Sequence, residues 1–293
     1  MTDTKAAGLE TGKVVAMIDG SIYSESVTDH AAWAAARIGR PLELLHVIGP
    51  REGNHGREDR SGAIGLGARS ALLEELAELD AQRGKLAQQR GRMILDHAVS
   101  RAAEAGAEAT AKLRAGDIVE ELVSVEADAR VIVIGKRGEA ADFAKGHLGS
   151  NMERVVRAAK CPVLVSSRAF KPVGSCLIAF DGGASALKAV DMAARSPFFE
   201  GMKIHLLSVG PESAEAKRKL DGARAMLSAA GHEITAGIQP GQPEEVIAGY
   251  IEREGIDLLV MGAYGHSRIR SLIIGSTTTE MVRSCTVPVL LFR

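Results

Sequence analysis

The stretch VIVIGKRG at residues 131–138 decides the fold, because a second version, LLVMGAYG, occurs at residues 258–265. Each begins with an apolar run typical of a strand that is buried on both faces. Each is followed by a Gly-Ser pair, at 149–150 and at 275–276, and then by a strand that contains Pro-Val-Leu. The serine precedes that proline by 12 positions in both copies. The sequence therefore predicts a tandem repeat built around a glycine-rich strand-to-helix connection.

The repeat extends upstream of the glycine loops. Asp19 and Asp181 each end an apolar run, and they are 162 positions apart, as are Val47 and Val209. The first glycines of the two loops, Gly135 and Gly262, are only 127 positions apart. The first copy therefore contains 35 extra residues between its second strand and its glycine loop. We therefore predict a first domain over 1–168 with a helical insertion over about 48–105, and a second domain over 174–293.

Composition excludes several classes of protein. The net charge of -1 argues against a nucleic-acid partner, which requires clustered positive charge. There is no apolar run of the roughly 20 residues needed for a membrane span, and the N-terminal residues lack the apolar core of a signal peptide. Three cysteines without metal-type spacing suggest buried thiols in a reducing compartment. We expect a cytoplasmic protein.

Strand and helix patterns alternate in both halves, which predicts a parallel sheet with helices on both faces. The predicted strands are 13–19, 42–47, 108–114, 131–135, 162–166, 175–181, 203–209, 234–238, 257–261 and 287–292. The predicted helices are 24–38, 69–105, 117–127, 150–159, 184–195, 212–230, 243–254 and 276–284. The last strand of each half is apolar and would be a sheet edge that needs cover.

Within the insertion, the sequence predicts an exposed loop over 49–67, followed by a helix with an apolar stripe. The stripe comprises Leu72, Leu76, Leu79, Leu86 and Met93, interrupted by Arg83 and Arg90. Gly84 and Gly91 each weaken a helix by about 1 kcal/mol relative to alanine. We expect a bent helix or helical hairpin that covers the first domain, and a partner-binding or oligomerising surface is the alternative.

Glycine loops of this kind suit phosphate. Glycine lets the backbone approach an anion closely and adopt positive φ, so that several N–H groups converge on it. The following helix adds its free N-terminal N–H groups and the positive end of its dipole. Ser150 and Ser276 are expected to cap their helices and to donate a hydroxyl to phosphate. In an open α/β sheet such loops meet at the carboxyl edge of the strands, where ligands bind.

The pattern Gly262-x2-Gly265-x9-Gly275-Ser276, with Asp181 at the end of the first strand, resembles the nucleotide loop of the ATP-binding universal stress proteins. The resemblance covers nearly the whole chain outside the insertion. It implies two tandem open-sheet domains of the adenine nucleotide alpha hydrolase-like type, each with about five mainly parallel strands. It also implies internal pairing of the two last strands, because the family pairs such strands between subunits, and it leaves a homodimer open.

The resemblance implies an adenine nucleotide as ligand: ATP, or AMP or ADP, with Mg²⁺ held through the phosphates. The base and ribose would contact Ala179, Phe180, Asp181 and Val209, and the phosphates would contact Gly262, Gly265, Gly275, Ser276, Thr277 and Thr278. Met261, which leads into the glycine loop, would also belong to the site. The corresponding first-half residues are Asp19, Val47, Gly135, Gly138, Gly149, Ser150 and Asn151.

The first half departs from the pattern. Ten residues separate Gly138 from Gly149, where the second half has nine, and Asn151-Met152 replace two threonines. Lys136 and Arg137 either add charge near phosphate or are ordinary solvated side chains. We therefore expect nucleotide at the second domain and leave the first open.

Other nucleotide and catalytic signatures do not fit. Neither loop has the Gly-Lys-[Ser/Thr] ending of a Walker loop, and no dinucleotide fingerprint follows the first strand. The histidines suggest no metal ligands, and no serine has an identifiable activating base. Three classes remain open: a nucleotide-binding stress-response regulator without catalytic residues, a slow ATPase that uses the same site, and a nucleotide-independent scaffold.

Overall fold

The computed structural model describes residues 12–49, 66–138, 149–263 and 275–293. The predicted loop over 49–67 lies almost wholly outside these ranges, as does Gly265. The elements of the first half are β1 (Lys13–Met17), α1 (Ser24–Ile38), β2 (Leu42–Ile48), α2 (Leu66–Glu104), β3 (Ala109–Ala115), α3 (Ile118–Glu126), β4 (Ala129–Gly135), α4 (Ser150–Ala158) and β5 (Val163–Ser166).

The second half repeats this order without the long helix. Its elements are β6 (Ser175–Ala179), α5 (Ala184–Arg195), a short 3-10 helix (Pro197–Phe199), β7 (Lys203–Val209), α6 (Ala214–Ala229), β8 (Ile234–Gln239), α7 (Pro243–Glu254), β9 (Leu258–Gly262), α8 (Ser276–Ser284) and β10 (Val289–Phe292). The predicted elements agree with these bounds to within a few residues.

The strands form one ten-stranded sheet in the order β3-β2-β1-β4-β5-β10-β9-β6-β7-β8. Each half contributes five strands, and neighbours within a half are parallel. The two halves meet at β5 and β10, which are antiparallel, with Val165 opposite Val289 and Val163 opposite Leu291. The prediction of an α/β fold with tandem, mainly parallel halves is confirmed.

A separate hydrophobic core covers each face of the sheet. One core contains side chains of α1, α2, α5 and α6, among them Ala31, Leu95 and Leu220. The other contains side chains of α3, α4, α7 and α8, among them Leu122 and Met281. Because the central strands contribute to both cores, they read as continuous apolar runs rather than as alternating patterns.

Helix α2 is one helix of 39 residues rather than a hairpin. Its C-terminal part packs on β2 and β3, where a Cβ atom on Gly91 would lie 2.7 Å from Leu113 Cδ1. Gly91 therefore allows the helix to approach the sheet. The expectation that the leucine stripe packs on the first domain is wrong, because Leu79, Leu86 and Met93 are exposed. The stripe faces away from the packed side of the helix.

Side chains also join the two halves. Lys136 Nζ donates to the carbonyl of Cys285 at the end of α8. Arg293 Nη1 donates to the carbonyl of Arg157, at 2.9 Å, near the end of α4. The Trp33 ring on α1 packs edge-on against Phe198 of the 3-10 helix, with centroids 4.8 Å apart. Each half thus supplies a cation to a helix C-terminus of the other, where positive charge is favoured.

Candidate functional site

Each half has a cavity at the carboxyl edge of its central strands. The second-half cavity, of about 300 Å³, is lined by Ala179, Phe180, Asp181, Leu207, Val209, Pro243, Ile247, Met261, Gly262, Gly275, Ser276, Thr277 and Thr278. The set includes every described residue that the sequence placed in the second site, and Gly265 lies outside the described ranges. Leu207, Pro243 and Ile247 were not anticipated, because their place depends on the packing of β7 and α7.

The second-half cavity has an apolar end and a polar end. Val209, Leu207 and Ile247 line the apolar end, at the C-terminal part of β7 and the first turns of α7. The polar end is the N-terminus of α8, where the backbone N–H groups of the first turn have no acceptor within the helix. Such a cavity suits a ligand with a flat apolar part and an anionic part.

The hydroxyl groups at the start of α8 differ from the expected arrangement. Gly275, not Ser276, is the N-cap residue, and Ser276 is the first helical residue with an exposed side chain. Thr277 Oγ1 donates to Glu244 Oε1 at 2.7 Å, and Thr278 Oγ1 donates to the carbonyl of Gly262 at 3.0 Å. Backbone N–H groups and the Ser276 hydroxyl are therefore the available donors, because both threonine hydroxyl protons are already engaged.

The loop glycines provide close approach rather than unusual backbone angles. None of the described loop glycines has positive φ; Gly149 and Gly275 have φ of -64° and -59°. A Cβ atom on Gly149 would lie 3.1 Å from the Cα of Arg137, and one on Gly262 would lie 2.9 Å from the Cβ of Ser185. The expectation that these glycines adopt positive φ is wrong at the described positions. Glycine is favoured there because a Cβ atom would crowd the neighbouring atoms.

The two acidic residues at the ends of the first strands have the same local geometry. Asp19 Oδ1 accepts the backbone N–H of Ser21 at 3.0 Å, and Asp181 Oδ1 accepts that of Gly183 at 2.8 Å. Strands β1 and β6 end two residues before the predicted 19 and 181, so both carboxylates lie in turns rather than in strands. These turns orient each carboxylate towards its cavity.

The first-half cavity is smaller, at about 190 Å³. It is lined by Met17, Ile18, Asp19, Leu45, His46, Val47, Gly49, Gly116, Asp117, Ile118, Ile134, Gly135, Arg137, Gly138, Gly149, Ser150, Asn151, Met152 and Arg154. All seven residues that the sequence placed in the first site are among them. Ser150 is the first residue of α4 and Gly149 is its N-cap, as Ser276 and Gly275 are for α8.

The two cavities differ in the side chain at one equivalent strand position, Met17 in the first and Ala179 in the second. Met17 pairs with Leu45 and Ile134 in the sheet, as Ala179 pairs with Leu207 and Met261. The two residues therefore occupy equivalent positions, and each lines its own cavity. Methionine has three more side-chain heavy atoms than alanine at this position.

Charge also distinguishes the cavities. Arg137 and Arg154 line the first cavity, whereas the described lining of the second contains no basic side chain. Arg154 Nη2 donates to Asp117 Oδ2 at 2.5 Å, and this bond, with the Val119 N–H, lowers the pKa of Asp117. Asp19 and Asp117 also line the first cavity and Arg154 is paired with Asp117, so Arg137 is the basic side chain left to attract an anion.

Lys136 is placed differently from Arg137. Its side chain is buried and reaches Cys285 in the other half. Burial lowers the pKa of Lys136, and the nearby Cys285 partly offsets that effect. The expectation that Lys136 either adds charge near phosphate or is solvated is wrong, because its ammonium group is engaged between the halves.

Potential metal ligands are scattered rather than grouped in the described ranges. No cluster of three or more His, Cys, Asp or Glu side chains there could hold a metal ion. No helix in the same part of the chain has both the length and the apolar character to cross a membrane.

Two α/β halves, each with a glycine loop and a helix N-terminus at its carboxyl edge, define a tandem open-sheet α/β protein. The model of the universal stress protein family matches residues 10–167 and 210–293, and the chain belongs to this family. Residues 1–9 and 168–209 are unmatched, and the second of these ranges contains β6 and Asp181.

Relatives match this chain over nearly their whole length. Universal stress protein Slr1230 of Synechocystis is 37% identical over 94% of this chain and 97% of its own. Universal stress protein Rv2005c of Mycobacterium tuberculosis is 25% identical over 96% of both chains. The crystal structure of a universal stress protein from Archaeoglobus fulgidus has a TM-score of 0.71 at 22% identity, covering 96% of this chain and 98% of that one. Membership of this family supports a stress-response role.

Proposed function

We propose that this chain is an adenine-nucleotide-binding regulator of the stress response, with its principal nucleotide site in the second half. The observation that carries the proposal is the second cavity, which has an apolar end and a helix N-terminus at its polar end. Its volume, about 300 Å³, lies at the lower end of the range for small-molecule sites. Its described lining comprises the residues that the family resemblance assigns to nucleotide.

The base and ribose would lie over Ala179 and Val209, near the carboxylate of Asp181. The phosphates would lie over Gly262 and the first turn of α8, where backbone N–H groups and the helix dipole favour negative charge. Mg²⁺, where it accompanies ATP, would reach the protein mainly through the phosphates. The described lining includes one carboxylate, Asp181, and Glu244 is joined to the start of α8 by the hydrogen bond from Thr277 Oγ1.

The two halves would pair in solution through β5 and β10, which gives domains of about 1–168 and 174–293. The antiparallel β5–β10 ladder supports this proposal, as do the contacts from Lys136 and Arg293 to the opposite halves. The pairing would cover both apolar edge strands, Val163–Ser166 and Val289–Phe292. The nucleotide sites would then be held at fixed positions in one body.

The test is calorimetric titration of the full chain with ATP, ADP and AMP, with and without Mg²⁺. Gly275→Val should abolish binding at the second site, because a branched side chain would stand where phosphate approaches. The backbone angles of Gly275, φ -59° and ψ 147°, are open to any residue, and thermal unfolding of the variant checks that the fold is retained. Unaltered ATP affinity in a folded Gly275→Val variant would contradict the proposal.

A matched serine pair compares the two sites. Ser276→Ala should weaken ATP binding by about 1–2 kcal/mol, since one hydrogen bond to a charged group is lost. Ser150→Ala removes the equivalent exposed hydroxyl from α4 and should have the smaller effect. Equal losses in the two variants would show that both halves bind nucleotide equally well.

Release and identification of co-purified nucleotide by mass separates this proposal from the scaffold alternative. Wild-type protein that neither carries nor binds adenine nucleotide would favour the scaffold. ATP turnover that is lost in the Gly275→Val variant would add slow hydrolysis to the function. Binding without turnover would leave a regulator that responds to nucleotide occupancy.

A further inference from the structure

Helix α2 (Leu66–Glu104) has two parts with different surroundings. In the C-terminal part, Leu95, Ala98 and Ala102 are 3%, 2% and 0% exposed and belong to the core. Between residues 73 and 90, most side chains are exposed. At about 1.5 Å per residue this exposed part is roughly 27 Å long. A helix of this length gains little stability in water unless something packs on it.

The exposed part carries a row of apolar side chains that Arg83 and Arg90 interrupt. Leu76, Leu79, Leu86 and Met93 are 47%, 42%, 64% and 72% exposed. They stand at first and fourth positions of successive heptads, the pattern of a two-stranded coiled-coil seam. At 100° per residue this seam lies on a different face from Leu95, so the contacts of α2 with its own sheet leave it uncovered.

The charges along α2 change sign at its middle. Between residues 73 and 82 all charged side chains are acidic: Glu74, Glu75, Glu78 and Asp80. Between residues 83 and 93 all are basic: Arg83, Lys85, Arg90 and Arg92. Two such helices attract each other when antiparallel, because each acidic segment then faces a basic one. A parallel pair would place like charges together.

We propose that two copies of this chain associate through their α2 helices, in an antiparallel coiled coil over residues 73–93. The heptad seam supplies the apolar contact, and the charge reversal selects a second copy in the antiparallel orientation. The proposal is independent of nucleotide binding. It gives the insertion a role in assembly that the ten-stranded body does not provide.

The heptad positions predict the register. With Gln82 of one copy beside Gln82 of the other, Glu75 lies beside Gln89 of the second copy, one residue before Arg90, and Asp80 lies beside Gly84, one residue after Arg83. Both arginines stand within the seam, so their methylene groups can cover neighbouring leucines while the guanidinium groups reach the flanking carboxylates. The arginines that interrupt the apolar stripe would therefore set the register.

The first test measures oligomeric state by analytical ultracentrifugation of the full chain over a range of concentrations. Wild-type protein should be dimeric, and Leu86→Glu should raise the dissociation constant at least tenfold. Leu86 is 64% exposed, so this change should leave thermal unfolding of the monomer unaltered. A wild-type chain that stays monomeric at all concentrations would overturn the proposal and point to another occupant of the seam.

A charge exchange tests the complementarity. Glu75→Lys combined with Asp80→Lys should be monomeric, as should Arg83→Glu combined with Lys85→Glu. A mixture of the two variants should form a heterodimer, because opposite charges again face each other. Two variants that each dimerise as well as wild type would refute the role of charge.

Disulfide trapping tests the orientation. A Gln82→Cys variant should cross-link to itself under mild oxidation. Glu75→Cys should cross-link with Gln89→Cys, while neither cross-links with its own kind. Self-cross-linking of Glu75→Cys would show a parallel pair and overturn the proposed arrangement. The wild-type chain is the control, and its Cys176 and Cys285 thiols are buried.

Discussion

Replacing Ala179 with methionine should give the second cavity the side chain that the first cavity has at the equivalent strand position. The two residues at this position, Ala179 and Met17, are equivalent in the sheet, and the cavities measure about 300 and about 190 Å³. A methionine at 179 would extend three further heavy atoms over Leu207 and Met261. The added side chain would occupy the space that we assign to the base.

The expected loss of affinity follows from the apolar contact that the base would forfeit. A purine face that loses on the order of 100 Å² of apolar contact loses about 2.5 kcal/mol at ~25 cal/mol per Å². This corresponds to a roughly 50- to 100-fold weaker dissociation constant for ATP. The phosphate contacts at α8 would remain, so inorganic phosphate or triphosphate should bind as in the wild type.

The assay is calorimetry with ATP and with triphosphate alone, supported by thermal unfolding to confirm the fold. Met17→Ala is the reciprocal variant and should tighten ATP binding at the first cavity, where Arg137 is already in place. It removes a side chain that is 6% exposed, so about 2 kcal/mol of stability should be lost. A folded Ala179→Met variant with wild-type ATP affinity would refute the assignment of the base to this position.

Two other predictions concern stability. Gly84→Ala should slow amide exchange in α2 up to about fivefold, since alanine favours a helix by ~1 kcal/mol and a Cβ there meets no atom within 4 Å. Gly91→Ala should speed that exchange, because its Cβ would lie 2.7 Å from Leu113 Cδ1; equal effects of both changes would contradict the packing. Burial lowers the pKa of His30, with smaller opposing effects from Ser26 and Asp29. As the pH falls, the unfolded chain therefore protonates His30 at a higher pH than the folded chain does. At pH values below 6.5, the free energy of unfolding should decrease by at most ~1.4 kcal/mol per pH unit. Denaturant titration should show a weaker pH dependence in His30→Gln but not in His97→Gln, whose side chain is exposed.

The repeat and the α/β class were predictable from the sequence because their signals are local. Apolar runs at 131–134 and 258–261 indicate doubly buried strands whatever surrounds them. The residues at the ends of parallel strands must lie at one edge of a sheet. The sequence by itself therefore places Asp181, Gly262 and Ser276 together, although they are far apart in the chain.

The ladder between β5 and β10, the exposure of Leu86 and the contact of Lys136 with Cys285 were decided by the tertiary structure. Each depends on which surface lies opposite, and residue spacing within one element carries no information on that surface. An apolar stripe predicts that a helix face avoids water, but it does not show whether the chain itself or a second copy covers it. The lining of each cavity likewise includes a side chain, Met17 or Ala179, at an equivalent strand position. Its effect is visible only when neighbouring strands and helices are assembled around it, because cavity volume is a property of packing between elements.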